Sequence, residues 1–102
     1  MTTNATQKAR IVRVLFRVDT RKGINPDKEV TAVLPDMEAN AGRFVCYAHV
    51  GQHGECSRDW YRASTRPAKP AEFHPLLAEL RRIYEPDARL RVVSRIAPKR
   101  GT

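Results

Sequence analysis

The chain has few of the residues that mark membrane, secreted or disulfide-rich proteins. Only two of its 102 residues are cysteine. No apolar run approaches the roughly 20 residues that a membrane-spanning helix needs, and no apolar segment follows the first charges as it would in a signal peptide. We therefore expect a cytoplasmic protein without a membrane partner, whose cysteines are free thiols rather than a disulfide.

Acidic side chains are also scarce. The chain has 11 Asp and Glu against 19 Lys and Arg, a net charge of +8 at pH 7. Most of the excess lies from Arg58 onward, where eleven basic residues stand against five acidic ones. A field of this sign attracts polyanions, so the expected partner is nucleic acid or an acidic protein surface. A basic surface that only keeps the protein soluble is the alternative explanation.

The length and composition are those of one globular domain. A chain of 102 residues buries a single core. Its hydrophobic fraction of 41% and charged fraction of 29% exclude wholesale disorder. The small and polar residues at 1–9 and 97–102 predict disordered tails on a domain that spans residues 10–96.

Alternating runs of β-branched and aromatic residues predict the strands. The clearest run is Arg10–Asp19, in which Val12, Val14, Phe16 and Val18 share one face. Further strands are predicted at Glu29–Leu34, Arg43–Val50 and Arg89–Ile96. The segment Asp59–Thr65 fits a short strand or a helical turn, and we predict a strand.

One helix is predicted from apolar side chains that recur at helical spacing, namely Phe73, Leu76, Leu77, Leu80, Ile83 and Tyr84. Because proline is tolerated near a helix start, the regular helix is expected from about Pro75, after a distorted first turn. The order of elements has no βαβ repetition. We therefore predict an α+β fold, a mostly antiparallel sheet of four to five strands with one helix packed on one face.

One helix covers only one face of the sheet, so the other face becomes a candidate binding surface. With Val12, Val30, Phe44 and Leu90 under the helix, the opposite face presents basic and aromatic side chains. The predicted binding residues on it are Arg13, Arg17, Arg43, Tyr47, His49, Arg89, Arg91 and Arg95, with Gln52 and His53 in a loop at its edge. Cations and flat rings together are typical of sheets that bind single-stranded nucleic acid.

Two observations favour a simpler interpretation of this face. Aromatic residues make up only 7% of the chain, and no RNP motif is present. Long arginine stems can also cover the apolar members of a solvated sheet face without binding anything. Both interpretations stay open on the sequence alone.

Two of the three histidines and both cysteines lie at or near the segment 47–56. Cys46, His49, His53 and Cys56 are all residue types that bind zinc, but their spacing matches no zinc finger. Cys46 and His49 would also point to opposite faces of a regular strand. Catalysis by a cysteine or histidine here has no supporting signature. We therefore predict no catalytic residues and no cofactor, and keep a His/Cys metal site or small enzyme as a third alternative.

A resemblance to a known family rests on three parts of the chain. They are the residues Tyr47, His49, Gly51, Gln52, His53 and Gly54, the stretch Thr65-Arg66-Pro67-Ala68, and Phe73 with the run Leu76 to Leu80. This pattern resembles a family of small uncharacterised proteins from bacteria, plasmids and phages. The likeness spans residues 14–95. It implies a mobile-element setting and no particular activity.

Three functions are consistent with these residues. The leading hypothesis is a non-enzymatic, basic, nucleic-acid-associated binding protein. The second is a phage- or plasmid-encoded inhibitor or accessory factor, of the anti-CRISPR type, that binds an acidic patch on a host defence or nucleic-acid-handling complex. The third is the metal site or enzyme. An exposed edge strand would also permit a homodimer.

Overall fold

The computed structural model of the protein describes residues 10–48 and 53–96. The predicted tails, and residues 49–52 of the histidine-containing loop, lie outside the described residues. In the described part, the α+β class is confirmed, and the elements follow one another in a simple order. They are β1 (Arg10–Asp19), β2 (Val30–Leu34), β3 (Arg43–Ala48), β4 (Gly54–Ser57), α1 (Arg58–Ser64), β5 (Thr65–Pro67), α2 (Pro70–Tyr84) and β6 (Ala88–Val92).

Strand β1 is the centre of the sheet. The strand order is β4-β3-β2-β1-β5 with antiparallel neighbours, and β6 pairs with β1 in parallel. The carbonyl of Val14 accepts from the amide of Val93 at 3.0 Å, and that of Phe16 accepts from Ala68 at 2.8 Å. Carbonyls two residues apart on a strand point to the same edge. Strands β6 and β5 therefore lie end to end along one edge of β1, and β2 lies along the other.

Helix α2 covers the face of β1 that the sequence predicts. Val14 and Phe16 are buried against the helix residues Leu76, Leu77 and Leu80. The rings of Phe16 and Phe73 stack with their centroids 4.5 Å apart and their planes 10° apart. This packing forms the larger of the two hydrophobic clusters in the described residues.

The start of α2 differs from the prediction. The helix begins at Pro70 rather than near Pro75. Pro70 occupies the first turn, where its missing N–H costs nothing, and the Glu72 carboxylate accepts from the Lys69 amide at 2.7 Å. Pro75 lies inside the helix, with both Pro75 and Ala71 exposed. The Ala71 carbonyl thus loses its helical donor at an exposed position of the helix.

The predicted strand at Asp59–Thr65 is wrong for most of its length, because residues Arg58–Ser64 form helix α1. The Ser57 side chain starts this helix by accepting from the Trp60 amide at 2.9 Å. Trp60 and Tyr61 pack on Leu15 and the rest of a second cluster. Helix α1 therefore covers part of the sheet face that the sequence predicts to be open.

The predicted facing of β3 is reversed. Tyr47 is opposite Ala32 in the register and packs under α2, whereas Phe44 packs with Leu15 on the α1 side. The alternation misleads here because β3 has apolar residues on both faces, and both faces are covered.

Other element boundaries shift by a few residues. Strand β2 starts at Val30 instead of Glu29, β6 spans Ala88–Val92 instead of 89–96, and β4 forms where no strand is predicted.

Candidate nucleic-acid interface

The parallel pairing of β1 with β6 brings three arginines together. The register places Ile11 opposite Arg89 and Arg13 opposite Arg91. Cross-strand partners share a face, so Arg13, Arg89 and Arg91 lie side by side on the face away from α2. We refer to these three residues as the arginine patch.

Arg13 is held in place by an acidic neighbour. Its Nη2 lies 2.6 Å from Asp36 Oδ1, and its Nε and its backbone amide also donate to the Asp36 carboxylate. This hydrogen bonding raises the pKa of Arg13. The pair fixes the guanidinium group on the sheet and offsets part of its charge.

Arg89 and Arg91 differ from Arg13 in this respect. Both are exposed, as is Arg95 in the segment that follows β6. Among the carboxylates of residues 10–48 and 53–96, none lies within ion-pair distance of these three side chains. Their charges are therefore available to an external anion.

Arg17 does not belong to the interface, although the sequence predicts it there. It is only 8% exposed. Its Nε donates to Thr65 Oγ1 at 2.8 Å, its Nη2 donates to the Thr65 carbonyl at 3.0 Å, and its guanidinium carbon lies 4.5 Å from the centre of the Tyr61 ring. Burial lowers the pKa of Arg17. The residue ties β1 to the end of α1.

Tyr47 is also turned away from the predicted surface. It is 6% exposed, lies on the α2 face, and donates its hydroxyl hydrogen bond to Glu79. That bond raises the pKa of Tyr47. Its ring is therefore part of the core and does not present a face for base stacking.

His53 belongs to the same side of the sheet as Tyr47. Its Nε2 hydrogen-bonds the Tyr84 hydroxyl, and its ring centroid lies 5.0 Å from that of Tyr47. Burial raises the pKa of Tyr84, whose hydroxyl also reaches Met37 Sδ at 3.7 Å. This network links β3 and the residue before β4 to α2. The polar groups of Tyr47, His53 and Tyr84 therefore have hydrogen-bond partners within the protein.

The remaining predicted residues are either outside the described part or elsewhere on the fold. His49 and Gln52 lie outside the described residues. Arg43 is exposed at the start of β3. It lies on the same face of β3 as Val45 and Tyr47, which is the α2 side of the sheet. Strand β2 also separates β3 from β1. The ten predicted residues therefore do not form one surface.

The zinc alternative receives no support from the described residues. In the ranges 10–48 and 53–96, no three His, Cys, Asp or Glu side chains are grouped so that they could hold a metal ion. His53 contacts residues of the α2 side, whereas Cys56 packs on the α1 side with Leu15 and Phe44. The two candidate ligands therefore lie on opposite faces of the sheet.

Ile11 is a surface residue that the sequence pattern does not single out. It is 59% exposed beside Arg89. The parallel pairing of β6 with β1 places it opposite Arg89 as well as beside Arg13, and no local pattern indicates that pairing.

Comparison with protein-family models, curated proteins and solved structures gives no match. The resemblance to small bacterial, plasmid and phage proteins therefore stays a prediction. Within the described ranges, no helix has the length and apolar character required to cross a membrane.

Proposed function

We propose that the protein is a non-enzymatic nucleic-acid-binding protein that contacts phosphates through the arginine patch and Arg95. The observation that carries this proposal is the β1–β6 register, which gathers Arg13, Arg89 and Arg91 on one face. The setting we propose is the cytoplasm of a bacterium, with the protein encoded by the host or a mobile element.

The spacing of the patch suits a phosphate backbone. Adjacent strands lie about 4.8 Å apart, and residues two apart on a strand are separated by about 6.6 Å. The guanidinium fork also matches phosphate oxygens in pairs. An extended polyanion can therefore contact several of these side chains at once.

The described residues supply charge to the patch but no stacking ring. Cation–π contacts in residues 10–48 and 53–96 involve Arg17 with Tyr61 and Arg58 with Phe44, not the patch. We therefore propose recognition of the nucleic-acid backbone with little base specificity.

A second function is favoured by the exposed Ile11. An apolar side chain beside unpaired arginines suits an acidic protein partner as well as a phosphate chain. The second proposal is thus an inhibitor or accessory factor that binds an acidic patch on a host complex.

Fluorescence anisotropy with single-stranded and double-stranded DNA and RNA tests the leading proposal. The double variant Arg89→Gln/Arg91→Gln is expected to weaken binding on the order of tenfold at near-physiological salt. The matched control is Arg43→Gln/Arg82→Gln, which removes the same charge from exposed positions on the other side of the sheet.

The control variant should retain most of the affinity. Equal losses of affinity in both variants would show that the +8 net charge acts generically. That result would contradict a specific role of the arginine patch in binding. The second function would be favoured if neither variant lost nucleic-acid affinity and the immobilised protein retained an acidic host protein after nuclease treatment.

A further inference from the structure

Cys46 and Cys56 are neighbours across one antiparallel strand pair. The β3–β4 register places Cys46 opposite Gly54 and Phe44 opposite Cys56, so the cysteines are diagonal to each other on the same face. Both thiols are half-buried and free. The fold therefore brings both thiols to one face of the same strand pair.

A disulfide between the two cysteines requires a small backbone movement. Diagonal neighbours in a sheet have Cα atoms roughly 7–8 Å apart, whereas disulfides span up to about 6.8 Å. Strand β4 has four residues and lies at the outer end of the strand order. A shift of about an ångström there disturbs one strand pairing only.

The two thiols are not equivalent. The neighbouring Cys56 thiol lowers the pKa of the Cys46 thiol to about 7. Interaction with Cys46 and burial raise the pKa of Cys56. Cys46 is therefore the more readily ionised of the two, and thiolates are the nucleophiles in sulfur chemistry.

We propose that Cys46 and Cys56 form a peroxide-reactive dithiol that oxidises to an intrachain disulfide joining β3 to β4. In the first step, the Cys46 sulfur attacks one oxygen of hydrogen peroxide. An S–O bond forms, the O–O bond breaks, and the departing hydroxide takes up a proton to become water. Cys46 is then a sulfenic acid.

In the second step, the Cys56 sulfur attacks the Cys46 sulfur. The S–S bond forms, the S–O bond breaks, and the hydroxide that leaves takes the Cys56 thiol proton and becomes water. Because the sulfenic acid is neutral, the charge that opposed ionisation of Cys56 is gone at this point. Two electrons pass from the sulfurs to the peroxide, and two waters result.

The test treats the folded protein with one equivalent of hydrogen peroxide and follows free thiols, intact mass and the cross-linked peptide. We expect the wild type to lose both thiols and two hydrogen atoms in mass as a monomer, with full reversal by dithiothreitol. Cys56→Ser should stop at a sulfenic acid on Cys46 that a dimedone probe traps. Cys46→Ser should react at least tenfold more slowly than the wild type.

A urea-unfolded wild-type sample separates proximity in the fold from simple thiol reactivity, and it does not depend on the folding of either variant. The folded protein is expected to form the intrachain bond faster. Equal rates in both states, disulfide-linked dimers in place of the intrachain bond, or equal reactivity of Cys46→Ser and Cys56→Ser would each overturn the proposal.

Discussion

At the scale of single residues, Gly42 has a conformational role that its neighbours lack. Its φ is +77°, and its carbonyl accepts from the Arg58 amide at 2.9 Å, which connects the start of β3 to the start of α1. A Cβ at this position meets nothing within 4 Å. Any cost of a side chain here therefore comes from the backbone alone.

We expect Gly42→Ala to lower the free energy of unfolding by about 1–2 kcal/mol, because an L residue is strained at positive φ. Gly54 is the matched control. A Cβ at Gly54 would also meet nothing within 4 Å, but this glycine lies outside the positive-φ region, so Gly54→Ala should change stability by less than about 1 kcal/mol. Urea denaturation of both variants measures the difference, and equal effects would contradict the role assigned to Gly42.

At the scale of elements, the first turn of α2 depends on one carboxylate. Glu72 lies 2.8 Å from Arg66 Nη2 and accepts from the Lys69 amide. The Arg66 hydrogen bond is the largest cause that lowers the pKa of Glu72 to about 2, from an ordinary value of 4.5. Glu72 thereby joins β5 to the start of the helix.

This linkage predicts a pH dependence. Because the folded-state pKa is depressed, the stabilisation is complete above about pH 4.5 and is lost as the pH falls towards 2. The melting temperature of Glu72→Gln should therefore lie below that of the wild type at pH 6, and the gap should narrow towards pH 2. The control Glu85→Gln removes a carboxylate 3.9 Å from Arg81 at the other end of α2. If the difference in melting temperature between Glu85→Gln and the wild type narrows equally towards pH 2, the effect is not specific to Glu72.

At the scale of the whole molecule, the two helices cover parts of both sheet faces and thereby determine which charged side chains stay exposed. Helix α2 buries Tyr47, and helix α1 with β5 buries Arg17. The arginine patch stays open because α1 packs over Leu15, Val33 and Phe44, not over the β1–β6 half of the sheet. The proposed binding surface is therefore smaller than the one that the sequence predicts.

The size of this surface sets the expected salt dependence of binding. Three to four phosphate contacts, from the patch and Arg95, predict a slope of log affinity against log salt of about −2 to −3 for single strands. Anisotropy titrations at several salt concentrations measure this slope. A slope of about −5 or steeper would mean that many more of the 19 basic residues take part.

Features that depend on local pattern could be predicted without a structure. The alternation in 10–19 fixes β1, the stripe from Phe73 to Tyr84 fixes α2, and the absence of βαβ repetition fixes the α+β class. These predictions are confirmed, apart from the start of α2, because each rests on residue types and periodicity within single segments of the chain. The charge excess was likewise visible without a structure.

Which residues share a surface could not be predicted in the same way. The facing of β3 was ambiguous because both of its faces are apolar, and α1 was ambiguous because a seven-residue helix has too few turns to show a period. The meeting of Arg13 with Arg91 and the separation of Cys56 from His53 depend on strand register and on which face each helix covers. Those are set by packing between distant segments, which short-range sequence periodicity does not encode.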